Sequence, residues 1–87
     1  MKIKEGLLLK EIAGNYIIVP LNDELVDLNA MININDTGAF LFKLLQEGST
    51  EEELCKALTS EYDVSEEEAK ADISDFIRML TENSMLM

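Results

Sequence analysis

The stretch VDLNAMININDTGAFLFKLL, Val26 to Leu45, contains the one change of period in this chain. Up to Ile34 the apolar residues alternate. Val26, Leu28, Ala30, Ile32 and Ile34 fall on one face, and Asp27, Asn29, Met31 and Asn33 fall on the other. A period of two describes a strand packed on one side and wet on the other. From residue 35 the spacing is helical: Phe40, Leu41, Leu44 and Leu45 make one stripe. Either Asn35 or Asp36 can cap the start of that helix, and Gly48 can close its end. The chain is sheet before this point and helix after it.

Toward the N-terminus, GLLLKEIAGNYIIVPL breaks at Gly14-Asn15, a turn pair between apolar runs, which reads as a hairpin. A second turn falls at Leu21 to Glu24, and Pro20 must then end its strand, since a central strand cannot spare the donor. Consecutive strands usually neighbour each other, so the simplest order is a three-stranded meander. Its first strand carries Lys2, Lys4, Glu5, Lys10 and Glu11, charges that blunt an edge. Toward the C-terminus, Thr50 with Glu53 and Ser65 with Glu68 are capping boxes that open two further helices. The second helix is expected to bury Leu54, Ala57 and Leu58, and the third Ala69, Ile73, Phe76, Ile77 and Leu80. The expected fold is α+β, a three-stranded antiparallel sheet followed by three helices, in a single domain spanning residues 1–87. In the tail SMLM, either Met85 and Met87 or the intervening Leu86 should pack.

Composition narrows the function. Eighteen acidic residues against seven basic ones give a formal charge of −11, which repels nucleic acid and anionic membranes. Cys55 is the lone cysteine and there is no histidine, so neither an internal disulfide nor a metal site can be built around it. Its neighbours Leu54, Ala57 and Leu58 mark it as a small buried apolar residue. The N-terminus lacks a signal peptide's apolar run, and no stretch is long and apolar enough to span a membrane, so the expected location is cytoplasmic.

The catalytic inventory is thin. Acid–base work would fall to carboxylates, to Tyr16 or Tyr62, or to a lysine. Most carboxylates stand in helix first turns, at Glu51 to Glu53 and Glu66 to Glu68, where they favour the helix dipole. Neither a phosphate-cradling glycine loop nor a nucleophile elbow is present. The Asp-Ser-Leu of acyl carrier proteins is missing too, Asp72-Ile73-Ser74 placing its serine in mid-helix. No enzymatic activity and no cofactor are expected.

The open sheet edge is more informative. From Leu25 to Ile34 there is no lysine, arginine or proline, so this strand is an unguarded row of backbone donors and acceptors. Helices or a second copy of the chain can cover it; alternatively a peptide adds itself there as a further strand. Asp72 and Met79 lie beside the Phe76 stripe of the third helix and can line such a site, methionine suiting a groove that must adapt.

In this order and spacing, several segments resemble the PqqD family of pyrroloquinoline quinone biosynthesis and the related peptide-recognition domains of ribosomal peptide modification. They are LNAMININDTGAFLFKLL, with its Asn-x-Thr-x-Ala helix start, then EGSTEEEL, EYDV and ADISDFIRML. The resemblance runs from about Leu8 to the end and implies a winged helix-turn-helix-like fold. It implies a non-catalytic partner that binds the leader segment of a precursor peptide by strand addition. The partner then presents that leader to a modifying enzyme, in PqqD systems a radical S-adenosylmethionine protein with its own iron–sulfur clusters. Carried onto this chain, the implied peptide-binding residues are Ala30, Met31, Ile32, Asn33 and Ile34 of the strand, with Asp72, Asp75, Phe76 and Met79 of the third helix.

Two rivals remain. A DNA-binding winged helix needs a basic third helix, and here Lys70 and Arg78 stand against Glu66, Glu67, Glu68, Asp72 and Asp75. A dimerisation module would pair the open edge with its own copy, giving a homodimer instead of a peptide-binding monomer.

Overall fold

The computed structural model describes residues 1–20 and 32–87. In chain order these form β1 (Leu7–Ile12), β2 (Asn15–Pro20), β3 (Ile32–Ile34), α1 (Asp36–Glu47), α2 (Glu51–Glu61) and α3 (Glu66–Glu82). The strands make one antiparallel sheet in the order β1-β2-β3, so the fold is the expected α+β arrangement of a meander followed by three helices. The second turn and the strand residues from Val26 to Met31 lie outside the described residues.

The hairpin turn sits one residue earlier than the Gly14-Asn15 pair suggests. Ile12 pairs with Asn15, which leaves Ala13 and Gly14 as the two turn residues. Both have positive φ, 52° and 82°, as a type I′ turn requires. Glycine takes this conformation without strain, whereas Ala13 accepts the unfavourable region because the turn fixes the register.

That register decides which way the backbone points. A two-residue turn closes on a hydrogen-bonded pair, and such pairs then alternate along the ladder. Asn15, Ile17 and Val19 therefore exchange bonds with β1, while Tyr16 and Ile18 direct theirs at β3. The β3 partners of Tyr16 and Ile18 are Ile34 and Ile32, so those two residues turn their N–H and C=O groups inward, and Asn33 turns its own outward. Pro20 lies opposite Leu7 at a position where β2 makes no bond to β1, so its missing donor costs that ladder nothing.

The helix boundaries follow their caps. Asn35 caps α1, its side-chain oxygen accepting from the Gly38 N–H at 2.8 Å, and Gly48 (φ 105°) ends it. Thr50 and Glu53 make both halves of their capping box, each bond 3.1 Å long. At α3 only one half is formed among the described residues, Ser65 Oγ accepting from Glu68 N at 3.1 Å.

One core joins the sheet to the helices: Ile18 from β2, Leu41, Phe42 and Leu45 from α1, Leu54 and Leu58 from α2, and Ala69, Ile73, Phe76 and Leu80 from α3. Three sequence readings need correction here. Phe42 is fully buried while Phe40 and Leu44 are only half-buried. The cause is that α1 packs against β3 on one side and α2 on another, so its buried band is wider than a single stripe. Phe40 instead meets the end of α2 edge-on, its ring 5.5 Å from that of Tyr62. Ala57, Ile77 and Cys55 are half-buried, the thiol packing against the core from its rim.

The third correction concerns the N-terminus. Lys2, Lys4 and Glu5 precede β1 and guard no strand. Ile3 is 3% exposed and forms an isolated antiparallel bridge with Leu86. Around it the Ile3 N–H donates to Leu45 O, the Lys4 N–H to Met85 O and the Met87 N–H to Lys2 O. The tail packs through buried Met85 and half-buried Leu86, and Met87 is 78% exposed, so neither expected alternation holds. Truncating Ile3 to alanine should therefore lower stability by about 2–4 kcal/mol, as for other core isoleucines. The same change at Ile12, 54% exposed, should stay within about 0.5 kcal/mol. Urea denaturation of the two variants checks the contrast.

Candidate functional site

A groove runs where β3, the start of α1 and the middle of α3 meet. Its walls are Asn33, Ile34, Asn35, Thr37, Gly38 and Leu41 on one side and Asp72, Asp75, Phe76 and Met79 on the other. The four α3 residues stand at i, i+3, i+4 and i+7, which puts them in one row along the helix. They do not have one character. Phe76 is 9% exposed and belongs to the core, and Met79 is half-buried against it. Asp72 and Asp75 are exposed. The groove thus has an apolar floor and an acidic rim.

Gly38 sets how closely the walls approach. A Cβ there would lie 3.2 Å from Ile34 Cβ, 3.3 Å from Asn35 Oδ1 and 3.4 Å from the Phe76 ring. Glycine inside a helix costs about 1 kcal/mol relative to alanine, and here it lets β3 and α3 sit against the same helical turn. Sequence reasoning passed over Gly38 and Leu41. The available signal was a glycine in the first turn of a helix whose cap was already supplied by Asn35.

Of the residues singled out from sequence, Asn33, Ile34, Asp72, Asp75, Phe76 and Met79 are brought together in this groove. Ile32 lies on the same strand with its side chain packed against the core instead. Ala30 and Met31 lie outside the described residues. Along the described part of β3, the ladder alternation leaves the Asn33 main chain as the outward donor and acceptor. Asp75 makes a loose contact with Arg78, 4.0 Å between exposed groups, and Asp72 has no ion-pair partner among the described residues.

The groove offers an outward main chain, two carboxylates and an apolar floor. Among the described residues no cluster of three or more His, Cys, Asp or Glu could hold a metal ion. Tyr16, a candidate acid–base group, faces Glu11 across the β1–β2 ladder, and that carboxylate raises the phenol above its ordinary pKa. No helix among the described residues is long and apolar enough to cross a membrane.

Comparison with known proteins places this geometry. The profile of coenzyme PQQ synthesis protein D (PqqD) matches residues 15–86, and the chain belongs to that family. Two solved structures share the fold. TbiB1 in complex with the TbiA(beta) leader peptide is 26% identical with a TM-score of 0.76, over 99% of this chain and 94% of that one. The lasso peptide synthetase B1 complexed with the leader peptide is 23% identical with a TM-score of 0.72, over 97% and 93% of the two chains. No curated protein matches significantly.

The close approach at Gly38 makes a direct prediction. Gly38→Val forces two methyl groups between Ile34 and Phe76 and should cost about 1–3 kcal/mol by overpacking, despite removing a helical glycine. Denaturant unfolding measures the cost, and a stabilised variant would show that the walls part freely.

Proposed function

We propose that this protein is a non-catalytic binder of a precursor peptide's leader segment, which it holds by strand addition on β3 and presents to a modifying enzyme. The observation that carries this reading is the coincidence of two features. An outward-facing main chain at Asn33 lies directly beside an apolar floor formed by Phe76, Met79 and Leu41. Main-chain bonds supply affinity in this mode and the side-chain floor supplies choice. The family match, and the leader peptide bound by TbiB1 at 26% identity, support it. Within it, Ile32 to Ile34 belong to the docking strand, and Asp72, Asp75, Phe76 and Met79 are the facing wall. The enzyme served is a radical S-adenosylmethionine maturase, which brings its own clusters, so this chain needs no cofactor.

The energetics suit a carrier. A handful of backbone hydrogen bonds at about 0.5–1.5 kcal/mol each, with one or two apolar anchors, reach about −8 kcal/mol, or micromolar affinity. Binding of that strength is saturable yet releases its cargo readily. Tighter binding would slow transfer to the enzyme.

The ladder alternation gives the test its direction. Asn33→Pro removes the outward donor and places a ring against the incoming strand, while leaving the β2–β3 bonds intact. It should weaken leader binding about tenfold with unfolding unchanged, whereas Ile32→Pro removes an inward donor and should destabilise the sheet. Amide-resolved NMR titration with leader peptides from short reading frames beside the gene reads both. Saturable shifts at Asn33 and along α3 are expected in the parent protein. Unaltered affinity in a folded Asn33→Pro variant would move the docking strand elsewhere.

A further inference from the structure

We propose that the groove selects an extended segment carrying a lysine or arginine two residues from a bulky apolar residue. The inference rests on the strand-addition reading above and specifies which segment fits. An added strand alternates its side chains, so residues at i and i+2 enter the groove together, about 6.7 Å apart. The facing row on α3 changes character over the same interval. Asp72 and Asp75 centre four residues before Phe76 and Met79, an axial distance of about 6 Å at 1.5 Å per residue. A segment lying along α3 would set one side chain on the Phe76–Met79 floor and its neighbour on the same face at the two carboxylates.

Charge complementarity fixes the sign of that second position. Every basic residue of the chain lies among the described residues, and of these Arg78 alone contacts the rim, 4.0 Å from Asp75 with both groups exposed. Lys70 is engaged by Glu66 at 3.4 Å. An acidic segment would meet repulsion from Asp72 and Asp75, which is how a surface of one sign rejects wrong partners. A basic side chain would reach two carboxylates across a short gap.

Fluorescein-labelled synthetic eight-residue peptides test this, built on a Thr/Val strand sequence with a central Phe and either Lys or Glu two positions before or after it. Affinity is read by anisotropy at low and moderate salt, and the site by the Asn33 and Phe76 amide shifts. For one of the two orders, the Lys peptide should bind at least tenfold tighter than its Glu counterpart. The preference should shrink with salt and fall below about threefold in the D72N/D75N variant. Equal binding of Lys and Glu peptides, with Asn33 shifted by both, overturns the charge selection and leaves the docking strand standing. A preference that survives D72N/D75N unchanged overturns the assignment to this rim. If no peptide and no leader shifts Asn33, the strand-addition reading itself fails and takes this inference with it.

Discussion

The junction at Asn35 holds the site in shape. β3 ends at Ile34, the chain stays extended through Asn35 (φ −86°, ψ 179°), and the Asn35 side chain then binds the Gly38 N–H at 2.8 Å to start α1. Strand and helix are thereby joined by one residue with no slack between them. Because Gly38 has no Cβ, the first turn of α1 can press against both Ile34 and the Phe76 ring. Edge strand and third helix are thus set as opposing walls by a hydrogen bond and a missing methyl group. The orientation of Asn33 then follows from the register counted from the Ala13-Gly14 turn, at the same end of the sheet as Asn35. Two local constraints, both at the same end of the sheet, aim the backbone and space the groove.

Much of this was legible in the residues because it is local. The period change at residue 35, the Thr50 and Ser65 caps and Gly48 are each decided by side chains within a few positions of one another. The hairpin was legible to within one residue. Gly14 marks the turn, but only the pairing of Ile12 with Asn15 shows that Ala13 shares its positive φ. The resemblance named Asp72, Asp75, Phe76 and Met79, and helical spacing puts them in one row of α3.

What stayed hidden depends on contacts between distant parts of the chain. Ile3 and Leu86 come from opposite ends, and nothing near either announces their bridge; the lysines around Ile3 even suggest a guarded strand. Phe42 looked peripheral because a single stripe was assumed, whereas α1 is covered on more than one side. Gly38 needed the positions of both Ile34 and Phe76 before its lack of a side chain meant anything. A periodicity argument sees one element at a time and is blind to a residue whose role is set by two neighbours.

The fold is also one that other proteins place on DNA, with the third helix in the major groove, so the site must decide between the uses. Duplex recognition is driven by cations that neutralise phosphate. On α3 the only cations are Lys70 and Arg78; Lys70 is 3.4 Å from Glu66, and Arg78 lies within 4.0 Å of Asp75. Four more carboxylates, Glu67, Glu68, Asp72 and Glu82, stand exposed on the same helix. A phosphate backbone approaching that surface meets like charge, and an N-terminal helix dipole already satisfied by Glu66 to Glu68 offers it no anion site. A peptide strand brings no such charge of its own. Its amide and carbonyl groups need only the main chain that Asn33 turns outward, and the acidic rim that repels phosphate becomes a means of choosing among peptides.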